Sequence, residues 1–199
     1  NDGKVFYKNA LPNEIPQMSV GLLLDESGSM CSCDRCTYAR SSAIILYDFC
    51  KALHIPVTVY GHSTSGNSVE LYSYAEFESI DNDDKYRMMD IAARGSNRDG
   101  AALRFVAEQL VKRPEEVKIL ILVSDGQPAA PGYYGSAAEE DLRGIRQEYR
   151  RKGVLFIAAA IGEDKQNIER IYGDSFMDIT DLNQLPVKLT AAVKRHMRV

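Results

Sequence analysis

The chain has 199 residues, enough for one compact domain with its own core and short for two. Hydrophobic residues make up 45% and charged residues 26%, a composition that excludes a disordered or fibrous chain. A net charge of −4 with no basic stripe argues against a nucleic-acid partner, and no apolar run is long enough to span a bilayer.

The chain begins at Asn1 with no signal-peptide pattern. This start reads as the C-terminal part of a longer protein, with 1–15 as an extension or linker remnant and 16–199 as the folded domain. Met18–Leu24 is an almost unbroken apolar run, the pattern of a strand buried on both faces. Residues 38–53 carry Tyr38, Ile45, Leu46, Phe49 and Leu53 at helical spacing. Val57–Tyr60 follows as a strand, the polar stretch His62–Ser68 reads as a turn, and Val69–Ala75 as an edge strand paired with 57–60. A short charged helix is expected over 82–93, a loop over 94–100, and a helix from there through Leu110. Val117–Val123 is a second buried strand, closed by Ser124-Asp125-Gly126. A Gly/Pro loop leads to a helix at about 137–151, and Val154–Ile161 is a third buried strand. A helix near 164–172, a short strand at Phe176–Ile179 and a helix from Leu182 to the end complete the chain. Alternating strands and helices define a doubly wound α/β fold, a mostly parallel central sheet with helices on both faces.

In such sheets ligands lie beyond the carboxyl ends of the strands, where strand order reverses. Two of the loops expected there begin with an aspartate, Asp25 and Asp125. Two carboxylates at one edge repel unless a cation lies between them. Asp25, Ser27 and Ser29 present oxygen atoms at every second position, which suits a hard cation such as Mg²⁺, with Mn²⁺ or Ca²⁺ as substitutes. Two aspartates balance a charge of +2 and leave a coordination position open, which an outside carboxylate can fill.

Asp25-x-Ser27-x-Ser29 together with Ser124-Asp125-Gly126 resembles the metal-ion-dependent adhesion site of von Willebrand factor A (VWA) domains. The resemblance covers roughly residues 16–197. It implies a Rossmann-like fold and a site built from Asp25, Ser27, Ser29 and Asp125, with a further ligand from a middle loop. That family usually has Thr there, whereas this chain has Asn97 followed by Asp99. The middle ligand is therefore the Asn97 carbonyl, the Asp99 carboxylate, or a water held by either. Asn97-x-Asp99-Gly-x-Ala-Leu103 is similar to the bacterial branch containing a cobaltochelatase subunit and nitric oxide reductase activation proteins. Membership there implies a C-terminal domain of a longer chain working with a separate AAA+ ATPase.

Plainer readings stand beside these. Asp25 and Asp125 could simply cap helices. Glu26 falls out of the alternation and reads as solvent or rim. His54, His62 and His196 share no ligand spacing and read as surface or loop residues. Tyr133 and Tyr134 are expected at the rim of the site, and the Arg146–Lys152 charge run at a solvated helix end. Cys31, Cys33 and Cys36 crowd into six residues, unlike a secreted disulfide framework, which reads as a reducing, cytoplasmic setting. The trio offers an alternative metal or redox function, while Cys50, four residues after Leu46, reads as a core thiol. No phosphate loop and no dinucleotide fingerprint is found, and no catalytic Ser/His/Asp or Cys/His set. The sequence thus predicts a non-enzymatic, Mg²⁺-dependent module that binds an Asp or Glu on a protein partner.

Overall fold

A computed structural model describes residues 17–78, 81–126, 128–161 and 165–179, together with 181, 184, 187, 188, 190 and 191. The expected extension at 1–15 and most of the helix expected from Leu182 lie outside the described residues. In chain order the elements are β1 (Met18–Asp25), α1 (Arg35–Ala52), β2 (Val57–Ser65), β3 (Ser68–Ala75), α2 (Asp84–Arg87) and α3 (Asp99–Val111). Then come β4 (Val117–Ser124), the two-residue strands β5 (Ala129–Ala130) and β6 (Tyr133–Tyr134), α4 (Gly135–Arg151), β7 (Val154–Ala160), α5 (Lys165–Tyr172) and β8 (Phe176–Asp178). Short 3₁₀ turns occupy Gly28–Cys31, Met88–Asp90 and Gly173–Ser175.

The main sheet runs β3-β2-β1-β4-β7-β8, and β3 is its one antiparallel strand. The apolar runs at β1, β4 and β7 form its centre because each must bury both faces. On one face Val20, Leu22 and Leu24 pack with Ala39, Ala43, Leu46 and Cys50 of α1. On the other, Leu23 packs with Leu103, Val106 and Leu110 of α3, Leu142 and Ile145 of α4, and Ile168 of α5. The doubly wound fold is therefore as expected. Cys50 is fully buried in the first of these cores.

Three local expectations are corrected. The turn expected over His62–Ser68 is two residues long. β2 continues to Ser65, because β1 pairs with it on one side through Asp25–His62 and β3 on the other through Ser65–Ser68. Its polar side chains are tolerated because ladders on both flanks satisfy the backbone. The reversal falls at Gly66, whose φ of 58° lies in the left-handed region that glycine enters without steric cost. The helix expected over 82–93 is a single α-turn and a 3₁₀ turn, with Asp84 buried and accepting from the Tyr47 hydroxyl at 2.6 Å. Within the 127–136 loop, Ala129–Ala130 and Tyr133–Tyr134 pair as a small hairpin.

β1 has β2 on one side and β4 on the other, so the chain leaves β1 in one direction and returns on the far flank. The carboxyl ends of β1 and β4 are thus the switch point, and Asp25 and Asp125 lie there.

Candidate cation site at the switch point

β1 delivers Asp25 to the sheet edge fully buried. Neither Asp25 nor Asp125 serves as the residue capping a helix; those positions fall to Ser27, Asp34, Arg98 and Tyr134. Instead, Asp25 gathers donors from three chain segments. Its Oδ1 accepts from the Ser27 amide at 2.8 Å. Its Oδ2 accepts from Asn97 Nδ2 at 2.7 Å and from the Ser124 hydroxyl at 2.8 Å. The Ser27 and Ser29 hydroxyls lie 3.0 Å apart, and Ser29 donates to Asp125 Oδ1 at 3.0 Å. Arg35, the first residue of α1, holds Asp125 Oδ2 at 2.5 Å. A continuous chain of oxygens and donors thus runs from Asp25 to Asp125 through neutral hydroxyls.

Asn97 is positioned by backbone pairing on both sides. Ser96 pairs with Thr64 at the extended end of β2, and Asn97 pairs with Ala129 of the small hairpin. This strip lays the Asn97 amide over Asp25. Its Oδ1 is buried and has no hydrogen-bond partner among the described residues. Asp99 opens α3 and turns the other way, with Oδ1 3.1 Å from Nε2 of His62. At that distance the two form a buried ion pair when the imidazole is protonated.

The electrostatics follow from burial. Desolvation pushes the Asp25 carboxyl up, and the Asp99 charge adds to this; His62 and the Ser27 bonds oppose both. Asp125 is also raised, by burial first and then by Asp25, against Arg35 and Ser29. Burial alone would push His62 down, but Asp99, then Asp25 and Glu26, outweigh it and hold the imidazole above its ordinary value.

Two expectations about single residues are overturned. His62 is a fully buried strand residue beside Asp25 and Asp99, because β2 extends past the expected turn. Glu26 is fully buried as well. Its carboxylate accepts from Tyr74 Oη at 2.6 Å and Arg94 Nε at 2.7 Å, partners that no local sequence pattern announces. Arg35 is a third group that sequence reasoning missed; its position at the start of α1, next to the serine loop, is the one signal available. Tyr133 is half-buried and donates to Asp141 at 2.7 Å, whereas Tyr134 is 70% exposed on the rim.

Cys31 and Cys33 are exposed and Cys36 is half-buried. Among the described residues no three His, Cys, Asp or Glu side chains are gathered so as to hold a metal. The same holds for Asp25, Asp99 and Asp125, so any cation here depends on hydroxyl and amide oxygens as well as carboxylates. Oxygen donors suit Mg²⁺ better than a softer metal, and the partnerless, buried Asn97 Oδ1 is an acceptor such an ion would satisfy.

A parallel sheet with one antiparallel edge, helices on both faces and an Asp/Ser/Ser/Asp set at the switch point define a VWA domain. The profile described as the VWA domain of the cobalamin biosynthesis protein CobT matches residues 83–197, and the chain belongs to this family. YojO of Bacillus subtilis, an uncharacterized protein, is 26% identical over 206 residues, covering 96% of this chain and 32% of YojO. Protein NorD of Brucella suis is 34% identical over 97 residues, covering 47% of this chain and 15% of NorD. The chain thus spans a third or less of these relatives' lengths. Among solved structures, a von Willebrand factor type A protein from Catenulispora acidiphila superposes with a TM-score of 0.60 at 17% identity, over 85% of this chain and 40% of that one. Among the described residues no helix is long and apolar enough to cross a membrane.

Proposed function

We propose that this domain is a Mg²⁺-dependent protein-binding module whose site recognises an Asp or Glu carboxylate on a partner. The observation that carries the reading is the line of oxygens from Asp25 through Ser27 and Ser29 to Asp125, with the Asn97 Oδ1 left unsatisfied beside it. A bound Mg²⁺ would supply a hard centre with room for one outside oxygen. The chain's own residues prepare the place. Asp25 and Asp125 supply the negative charge. Ser27, Ser29 and Asn97 supply neutral oxygens, so the net charge is not overloaded. Asp99 faces His62, which suits it to support rather than direct ligation. The exposed Tyr134 and the loops at 94–98 and 129–134 frame the surface a partner would meet.

The family and the relatives extend the proposal to a longer protein. In it the domain couples to an AAA+ ATPase on another chain, in metal insertion or in activation of a metalloenzyme, in the cytoplasm. In this proposal the domain binds and does not itself catalyse. The test is a pull-down from the native host with wild type and Asp25→Ala, each with and without EDTA. The reading predicts a partner, including an AAA+ ATPase, retained only by wild type without chelator. Recovery of the same proteins in all four conditions refutes it.

A further inference from the structure

Glu26 stands between Asp25 and Ser27, yet its side chain leaves the ion loop and runs toward the edge of the sheet. One carboxylate oxygen takes the Tyr74 hydroxyl of β3 at 2.6 Å. The other takes Arg94 Nε at 2.7 Å and, more weakly, the Ala92 amide at 3.4 Å. The Arg94 guanidinium in turn lies 4.1 Å from the centre of the Tyr72 ring. The backbone repeats the connection. Arg94 N donates to Glu26 O at 2.6 Å, and Gly28 N donates to Gly95 O at 2.7 Å. Two residues on, Ser96 and Asn97 make the pairings that bring the Asn97 amide to Asp25.

The space for this carboxylate is made by Gly61. A Cβ on Gly61 would sit 1.7 Å from Glu26 Oε1 and 2.7 Å from its carboxyl carbon. A fully buried carboxylate left without its arginine, phenol and amide partners is costly. The cluster therefore holds together as a unit, and removing any part leaves the others unsatisfied.

We infer that Glu26 is a positioning residue: it latches the middle loop, through Arg94 and Ala92, onto the first loop and so sets where Asn97 stands relative to Asp25. This rests on the cation reading above for its purpose, but the latch itself can be tested without an ion. Strand β1 carries one ligand, the middle loop another, and they belong to separate chain segments. Glu26 ties the two at one residue's distance from Asp25. Arg94 pairs with its charge locally.

Two variants separate position from charge. Glu26→Gln keeps the shape but removes the negative charge that pairs with Arg94. Gly61→Ala keeps the charge and displaces the carboxylate. Each is measured in two ways: Mg²⁺ titration calorimetry on chelator-stripped protein, and amide hydrogen exchange in EDTA. Both variants should exchange the Gly28, Arg94 and Ser96 amides about tenfold faster, with β7 unchanged. Both should weaken Mg²⁺ binding at least about fivefold, a loss that a merely structural role would not produce. Exchange at 94–96 equal to wild type in both variants overturns the latch. Faster exchange with unaltered Mg²⁺ affinity overturns its role in placing Asn97. If wild type itself takes up no Mg²⁺, the cation reading and the placing role fail together, and the exchange data alone decide whether Glu26 holds the loop.

Discussion

Replacing Asp25 by Ala should abolish the stabilisation that Mg²⁺ gives the wild type, while changing the metal-free protein far less than a buried three-bond residue would suggest. In the absence of an ion, Asp25 is fully buried, and both burial and Asp99 raise its pKa. Its charge therefore weighs against the fold at neutral pH. Truncation removes that burden but leaves the Ser27 amide, Asn97 Nδ2 and Ser124 Oγ without their acceptor. Each orphaned donor costs about 1–3 kcal/mol if it stays dry, and the new space beside an already polar edge lets water reach it. The opposing effects leave a small net change. Mg²⁺ acts differently: an ion bound only by the native state adds RT ln(1 + [L]/Kd), about 2.7 kcal/mol at a hundredfold excess over Kd. For a domain of this size that is a rise in Tm of about 5–11 °C. Thermal melts of both proteins in EDTA and in millimolar Mg²⁺ read it. Identical wild-type midpoints with and without Mg²⁺ refute the reasoning, and so does an Asp25→Ala protein that still responds.

Three further outcomes are expected. Asp25 and Asp125 both titrate above their ordinary value in the fold, so the native state binds their protons more readily than the unfolded chain. Their contribution to stability therefore falls as pH rises from the ordinary value of 3.8 through the folded values, and Mg²⁺ opposes the loss. The Mg²⁺ increment in Tm should shrink on going from pH 8 to about pH 5, and an increment constant over that range contradicts the assignment. Arg35→Gln removes a cation from Asp125 Oδ2, so Mg²⁺ should bind more tightly by about 1 kcal/mol or more, a several-fold drop in Kd by calorimetry; weaker binding would make Arg35 a supporting group instead. Burial pushes the Cys50 thiol up to about 12, and burial with the Glu26 charge raises Cys36, while Cys31 and Cys33 are exposed. A disulfide reagent at pH 8 should therefore label Cys31 and Cys33 first, Cys36 slowly and Cys50 only on unfolding, as peptide mapping would show; uniform protection of Cys31, Cys33 and Cys36, released by a zinc chelator, would favour the thiol-metal alternative.

The central sheet was legible because burial on both faces forces continuous apolar sequence: β1, β4 and β7 are such runs, and Asp25 and Asp125 end or follow two of them directly. The alternation of Asp25, Ser27 and Ser29 pointed to oxygens gathered in one loop, and the structure brings the two hydroxyls within 3.0 Å of each other. His62 and Glu26 were not legible. Each is a polar residue buried by partners far along the chain, Asp99 for the first and Tyr74 with Arg94 for the second. Periodicity reports which face a residue occupies and carries nothing about a partner 37 to 68 residues on. The end of β2 was misplaced for a related reason: His62-Ser63-Thr64 is polar and turn-like in composition, yet ladder pairing on both flanks and the bridge from Thr64 to Ser96 keep it extended. That extension supports the strip that carries Asn97.

The central claim is that Asp25, Ser27, Ser29, Asn97 and Asp125 surround one divalent ion with an open position. Anomalous diffraction from crystals of the domain grown with Mn²⁺ tests it most directly. The account predicts a single strong peak at the ends of β1 and β4, within bonding distance of the Ser27 and Ser29 hydroxyls, with at least one exchangeable water or carboxylate oxygen completing the coordination. A peak at Cys31, Cys33 and Cys36, or no ion at saturating Mn²⁺, would contradict it.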